Sequence, residues 1–542
     1  RIHPHQIYKF LSLIHTFTHP FRLPNHRSIH SFVNPCHYIF FQTTSITNCT
    51  IPYSICYQDN AIYEQMLRVA LDAPGIYFSY GYDLTHSLQR LNSVTPDFRE
   101  MSMVTRADPR FLWNSYLMKD FKQSQFSNFT LPIMEGFVSI NYTTMNNHHL
   151  SWILISRRSV DRAGTRLFMR GIDSEGFVAN FVETEQIVLC GAEKSSYIQT
   201  RGSIPLYWQQ YPNLKYKPAI RLAPADHVAA YTKHLREQSL KYGNQVLVNL
   251  IDHHGKEEAL ERGFRAAVAS AALPGVRYEP FDFHAECRGM RYDRLKVLID
   301  RITHEQMEFG YFLLRAGSVL LRQSGVFRTN CVDCLDRTNV VQSLLARQQL
   351  TTVLRLMTAL KPTEEVHHHE EFESTFKTVW ADHADMISLQ YSGTGALKTD
   401  FTRTGKRTRL GLMRDGVNSL TRYYKNNFCD GFRQDGIDLL LGKYAVIEGE
   451  GNTTPCPLRR DRGWKYITFP SVLVFAMSMV CCSALLPTQY TSEVLLYLMF
   501  WTAAVGATFT YIIKNGKDFV DWPRLSSAIT SSHLASSSQT NL

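Results

Sequence analysis

Two long uncharged runs near the C-terminus constrain this chain more than anything else in it. Residues 467–486 carry Val, Leu, Ala, Met and Phe over 20 positions without one charged residue, long enough to cross a bilayer's hydrocarbon as a helix. A second run, 494–513, follows after the connector 487–493. Together they predict a transmembrane hairpin. Trp464, Tyr466, Trp501 and Tyr511 supply interfacial aromatics. Arg459, Arg460, Arg462 and Lys465 precede the first run, Lys514 and Lys517 follow the second, and the connector carries only Glu493. The positive-inside rule then places both termini in the cytosol. The competing reading, two core helices of a soluble domain, fits poorly with uncharged runs of this length.

The 542 residues leave room for two or three further units, and 44% hydrophobic content with no long low-complexity run is that of a folded chain. A formal charge of +10 favours an anionic partner: nucleic acid, anionic lipid or a phosphorylated small molecule. The eleven cysteines have irregular spacings and read as reduced and cytosolic. Glycosylation-type triplets start at Asn48, Asn128, Asn141 and Asn452, and are taken as chance occurrences in cytosolic segments. Residues 1–56 are rich in His, Phe, Ile and Pro without a sustained period, and lack the layout of a signal peptide.

Residues 57–225 alternate short apolar runs with Gly-containing turns, as in 152–156, 166–170 and 177–182, which predicts a β-rich unit. Residues 226–445 mix helical stretches such as 227–242 with apolar strands such as 245–251, the pattern of an α/β unit. Residues 446–466, with Gly449, Gly451, Asn452, Pro455 and Pro457, read as a linker into the membrane. A cytosolic tail, 514–542, completes the division.

One loop carries the chemistry. The strand-like 317–328 feeds Arg328-Thr-Asn-Cys331-Val-Asp-Cys-Leu-Asp-Arg337-Thr-Asn339, and an amphipathic helix follows. Strand, loop and helix make an anion site: backbone N–H groups of Asn330, Val332, Cys334, Leu335 and Asp336 would cradle a phosphate, and the helix dipole would favour a thiolate at Cys331. Six residues on, Arg337 is placed to grip two phosphate oxygens. C-x5-R alone is weak, because about 0.6 chance matches are expected here. The flanking residues decide the matter.

The string 328–339 resembles the signature of the Sac-domain (suppressor of actin) phosphoinositide phosphatases. Matching stretches include Tyr82-Asp-Leu-Thr-His-Ser-Leu-Gln-Arg90, Arg170-Gly-Ile-Asp-Ser-Glu-Gly176, Asn180-Phe-Val-Glu-Thr-Glu-Gln186 and Gln199-Thr-Arg-Gly-Ser-Ile-Pro205, then Gly393 to Arg407 and Tyr423-Tyr-Lys-Asn-Asn427. The resemblance covers about residues 57–525 and is greatest to the integral-membrane branch of the endoplasmic reticulum and Golgi. It implies a mixed α/β fold, a β-rich N-terminal subdomain packed on an α/β cysteine-phosphatase-like subdomain. It further implies hydrolysis of phosphatidylinositol 4-phosphate, and of the 3-phosphate, at the cytosolic face of those membranes. Two departures stand out: residues 1–56 do not look like the family's opening strands, and the tail lacks a terminal dilysine signal.

The expected reaction is attack of the Cys331 thiolate on phosphorus, release of the inositol lipid, and hydrolysis of a cysteinyl-phosphate, using neither metal nor cofactor. Asp333 would protonate the leaving oxygen, which requires burial to raise its pKa. Asp336 reads as a brace, and Cys334 as a passive thiol. Lys398, Arg403, Lys406, Arg407 and Arg409 read as a patch for anionic lipid. His284 reads as a hydrogen-bonded core histidine. The expected partners are phosphoinositides and an anionic membrane surface, with nucleic acid excluded. A non-catalytic lipid-binding tether and a Cys331/Cys334 thiol oxidoreductase are the alternative functions.

Overall fold

The computed structural model describes residues 29–31, 53–121, 126, 129–404, 407–447, 450, 455–459, 463–487 and 489–525. Among them, eleven strands join into one mixed sheet. Its antiparallel half comes from sequence that alternates and then turns tightly. β1 (Ile29–Ser31) pairs with β2 (Ile76–Ser79), and β2 with β3 (Met134–Met145). β3 turns into β4 (His148–Arg158) through Asn146 and Asn147, whose φ angles of 45° and 66° suit the two-residue turn that matches strand twist. β5 (Val182–Cys190) and β6 (Glu193–Arg201) close a second hairpin at Gly191, φ 55°.

β6 is the pivot of the sheet. One edge pairs antiparallel with β5, whereas β11 (Gly325–Asn330) runs parallel to it. Beyond β11 lie β7 (Asn244–Asn249) and β8 (Val276–Pro280), both parallel. β9 (Phe312–Arg315) pairs with β6, and β10 (Ser318–Leu321) pairs with β9. The antiparallel strands β2–β6 thus fall in residues 57–225 and the parallel ones in 226–445, yet a single sheet runs through both.

Parallel strands are covered on both faces because their connections are helical. α1 (Tyr53–Leu71) connects β1 to β2. α2 (His227–Tyr242) is capped by the Asp226 carboxylate on the Ala229 N–H and stopped by Gly243 at φ 77°. Tyr231 and Leu235 of α2 and Leu260 and Phe264 of α3 (Glu258–Ala271) pack with Leu247 on one face. Leu298 and Ile302 of α4 (Leu295–Phe309) and Leu345 of α5 (Asp336–Leu356) pack with Val246 and Phe327 on the other. α6 (Glu370–Ser392) sets Phe372, Phe376 and Trp380 against Trp152 of the antiparallel half.

Two segments expected as strands are not. Residues 166–170 form a turn, and 177–181 are irregular apart from one bridge at Val178. Their apolar residues still reach the core, with Phe168, Val178 and Phe181 buried. Toward the C-terminus follow α7 (Arg409–Phe428), α8 (Asp430–Leu440), and two apolar helices, α9 (Trp464–Leu485) and α10 (Ser492–Lys514). α9 and α10 pair as a hairpin, with Phe469 stacked on Tyr511 at 4.0 Å and Phe475 against Trp501 at 5.5 Å. Both are long and apolar enough to cross a membrane. The triplets at Asn48, Asn128 and Asn452, the cations Lys406, Arg460 and Arg462, and the tail from 526 lie outside the described residues.

Candidate active site

β11 ends at Asn330 and α5 begins at Asp336, so residues 331–335 bridge the carboxyl end of a parallel strand to a helix N-terminus. That is where open α/β sheets place ligands. The bridge contains no glycine and turns on Cys334, whose φ of 53° is left-handed. Such a conformation costs about 1–2 kcal/mol in a non-glycine residue. The single Cys334 S–H is shared between the carbonyls of Gly202 (2.9 Å) and Cys331 (3.2 Å), which helps hold the turn. Among the described residues, the backbone N–H groups of Val332 to Leu335 find no protein acceptor. That pattern suits an anion cradle.

The motif's other residues hold the loop from behind. Asn330 is fully buried and donates to Asn249 Oδ1 at 2.5 Å. Asn339 accepts from His383 Nδ1 (2.8 Å) and Arg201 Nη2 (3.3 Å), and donates to the Trp380 carbonyl (3.0 Å). Arg328 donates to the Ser203 carbonyl at 2.8 Å. Arg201 and Arg328 are both 0% exposed, and neither forms an ion pair among the described residues. Burial pulls both guanidinium pKa values down to about 10, while Cys334, with Cys331 at Arg201 and Tyr231 at Arg328, acts to raise them. Two unpaired buried cations are costly unless an anion compensates them.

In front of the loop opens a cleft of about 510 Å³. Cys331, Asp333, Asp336 and Arg337 line it, together with the cations Arg166, Lys215, Lys217, Lys398 and Arg422 and the apolar Phe283, Leu344 and Phe401. Arg337 does return to the cavity that holds Cys331. Its fork is occupied, however, by the Glu257 carboxylate (2.9 and 3.0 Å), Asp252 (3.2 Å) and the Leu250 carbonyl (2.9 Å). Burial opposes its charge, but Cys331 and Glu257 hold it firmly protonated.

The proton donor expected at Asp333 is corrected by the geometry. Arg170 donates to Asp333 Oδ1 at 2.6 Å and Arg166 at 3.0 Å. Desolvation favours the neutral acid, yet the two arginines overcome it and hold the carboxyl well below the usual carboxylate range. Asp333 is therefore an ionised strut between the loop and the 166–170 turn. Asp336 behaves oppositely: burial raises its pKa, against Arg422 and the Leu397 N–H it accepts at 3.0 Å.

With the site in view, comparison with known proteins is decisive. A family model described as SacI homology domain matches residues 12–288. The chain is 53% identical over 479 residues, 88% of its length and 81% of the relative's, to Phosphatidylinositol-3-phosphatase SAC1 of Drosophila melanogaster. It is 49% identical to Phosphatidylinositol-3-phosphatase SAC1-B of Danio rerio, covering 86% of this chain and 80% of that one.. The yeast SAC1 of the same name, from Saccharomyces cerevisiae, is 38% identical over 86% of this chain and 77% of its own. The chain belongs to the SacI homology family. The matched range opens at residue 12, so it extends into the segment 1–56.

Within this SacI homology chain, several expected substrate contacts are supports. Val332 and Leu335 are buried in apolar clusters, the Val332 carbonyl accepts from Arg170, and the side chains of Asn330 and Cys334 are committed inward. These four reach the cleft only through backbone. The basic segment is also corrected: Arg403 pairs with Asp382 (2.8 Å) and Asp385 (3.2 Å), and Arg407 with Asp400 and Asp415. Their charge is locally neutralised. Lys398 lines the cleft, and Arg409 is exposed at the start of α7. His284 is not in the core: it sits on the cleft wall with Nδ1 2.7 Å from Asp252 Oδ1.

Arg166, Arg170, Arg201, Asp252 and Glu257 are site residues that the sequence reading missed. Only Arg170 and Arg201 fall within stretches that resembled the family, where nothing marked them as neighbours of the loop. No cluster of metal-ligating side chains occurs among the described residues.

Proposed function

We propose that this chain is a phosphoinositide phosphatase that removes the phosphate of phosphatidylinositol 4-phosphate, and of the 3-phosphate, through a cysteinyl-phosphate on Cys331. The observation that carries this reading is the loop itself. Cys331 stands just past the end of β11, before a helix N-terminus and loop N–H groups that are unpaired among the described residues, with Arg201 and Arg328 buried behind it and, among those same residues, without a carboxylate partner. An incoming phosphate supplies the negative charge those cations lack.

In this mechanism the loop N–H groups and Arg337 hold the equatorial phosphate oxygens while Cys331 attacks in line. Binding requires Arg337 to exchange part of its contact with Glu257 for phosphate. Asp336, the loop carboxyl that burial pushes toward its protonated form, gives the proton to the leaving inositol oxygen. Asp333 keeps Arg166 and Arg170 in register. The thiolate sulfur gains phosphorus as the P–O bond breaks, and water then attacks phosphorus and returns the sulfur.

The substrate is lipid on this reading because the cleft combines cations with apolar walls and the same chain carries the α9–α10 hairpin. We place that hairpin across the endoplasmic-reticulum or Golgi membrane, with the catalytic unit and both termini cytosolic. A dithiol activity is disfavoured: the Cys334 thiol is turned to two carbonyls, and burial pushes its pKa up to about 12. Phosphate release from short-chain phosphatidylinositol 4-phosphate, with wild type and Cys331→Ser, tests the proposal. Release that survives the substitution rejects it, as does a wild type that binds the lipid without hydrolysing it.

A further inference from the structure

Helix α7 is built inside out for a helix of a soluble domain. Leu410, Met413, Val417, Leu420 and Tyr424 recur every three or four residues and share one stripe. They are 68, 70, 63, 71 and 58% exposed. The opposite side is buried and polar: Arg422 donates to Thr394 Oγ1 at 2.9 Å, and Asn426 to Asp430 Oδ2 at 2.9 Å. A continuous exposed apolar face of this length marks an interaction surface.

Two observations say what covers it. The first is position. Tyr423 Oη donates to the Leu214 carbonyl (2.8 Å), and Asn427 Oδ1 accepts from the Leu214 N–H (3.1 Å). Leu214 in turn packs with Ile512 of α10 and with Phe469 and Leu473 of α9. The C-terminal half of α7 is thus tied to the base of the apolar hairpin. The second is charge. At 100° per residue, the exposed Arg409 and Arg414 flank the apolar stripe on its two edges. An apolar face bordered by cations complements an anionic lipid surface, where the stripe enters the acyl boundary and the guanidinium groups meet head groups.

We propose that α7 lies in the interface of the same bilayer that α9 and α10 span, a placement that rests on the hairpin reading above. Ser419, Arg422 and Tyr423 of this helix line the cleft. Docking α7 therefore turns the cleft mouth toward head groups of the chain's own membrane. It also fixes the height of the catalytic loop above that surface.

The full chain in vesicles of phosphatidylcholine and phosphatidylserine, carrying photoreactive benzoylphenylalanine at Leu420 or, as a control, at Phe475 of α9, tests this. Lipid adducts at both positions are expected. An adduct at Phe475 but not at Leu420 overturns the docking of α7 and leaves the hairpin intact. No adduct at either position rejects the hairpin reading and this inference with it. A crosslink from Leu420 to a second copy or another protein also overturns it. In parallel, Met413→Asp with Leu420→Asp is expected to cut phosphate release from vesicle-embedded lipid about tenfold while changing release from water-soluble short-chain lipid less than about twofold. An unchanged rate on vesicles contradicts the proposal.

Discussion

The loop at Cys331 and the segment 398–409 are both rich in cations, yet their charges do different things. Behind the loop, Arg201 and Arg328 are wholly buried and have no carboxylate partner among the described residues, so their field is available to whatever anion enters. In the segment, Arg403 and Arg407 are matched by Asp382, Asp385, Asp400 and Asp415. Counting Lys and Arg along a sequence finds the second region first. The field that matters lies at the first, because a desolvated unpaired charge acts through low dielectric and an ion-paired surface charge does not.

Removing a cation behind the loop strikes at this contrast. Arg328→Met lowers kcat/KM for short-chain lipid by about 100-fold or more, while leaving the melting temperature at or above that of wild type, since an uncompensated buried cation costs stability. Kinetics and a thermal melt on one preparation check both halves. A parallel loss of melting temperature and activity would make Arg328 a structural residue only.

Next in size are the two loop carboxyls. Asp336→Asn is expected to lower kcat by about 10- to 100-fold and to remove the high-pH fall of the rate profile, whereas Asp333→Asn keeps that limb. Full pH–rate profiles of both variants decide it, and the reverse pattern restores Asp333 as the acid.

A third prediction uses the opposite imbalance, carboxylates buried with too few cations. In α8, burial raises Asp430 and Asp438 to about 6 and Asp435 to about 7. Their folded-state pKa values lie above the ordinary carboxylate value near 4, so their stabilising contribution is complete below about pH 4 and is lost as pH rises through 6 to 7. Asp435→Asn retains an acceptor for the Arg524 and Leu525 N–H groups that the carboxylate now binds. It is expected to flatten the decline of melting temperature between pH 5 and 8. An unchanged slope contradicts the assignment.

The smallest effect belongs to the paired segment. Arg403→Ala should alter hydrolysis of short-chain lipid by less than about threefold, measured beside Arg328→Met. A loss as large as at Arg328 would erase the distinction between the two regions.

Parts of the fold whose cause is local were legible from local signals. Uncharged length marked α9 and α10, period and flanking signals marked α2 and β7, and the string 328–339 marked the strand-loop-helix. What escaped depends on pairing across the chain. Arg166 and Arg170 flank an apolar run that mimics a strand, and only tertiary folding brings them 163 or more residues forward onto Asp333. Arg337 looked available for phosphate because nothing near it in sequence announces Glu257, 80 residues earlier. The apolar stripe of α7 has ordinary helical spacing, and its outward orientation is set by Arg422 and Asn426 finding polar partners inside.

Transfer of phosphate onto the Cys331 sulfur is checked by mixing the full chain with lipid labelled at its phosphate, quenching in acid within the first turnover, and mapping the label by mass spectrometry. Phosphate on the peptide that carries Cys331, absent from Cys331→Ser, is the expected result. Steady turnover by wild type with no labelled Cys331, matched by an active Cys331→Ser, would contradict it.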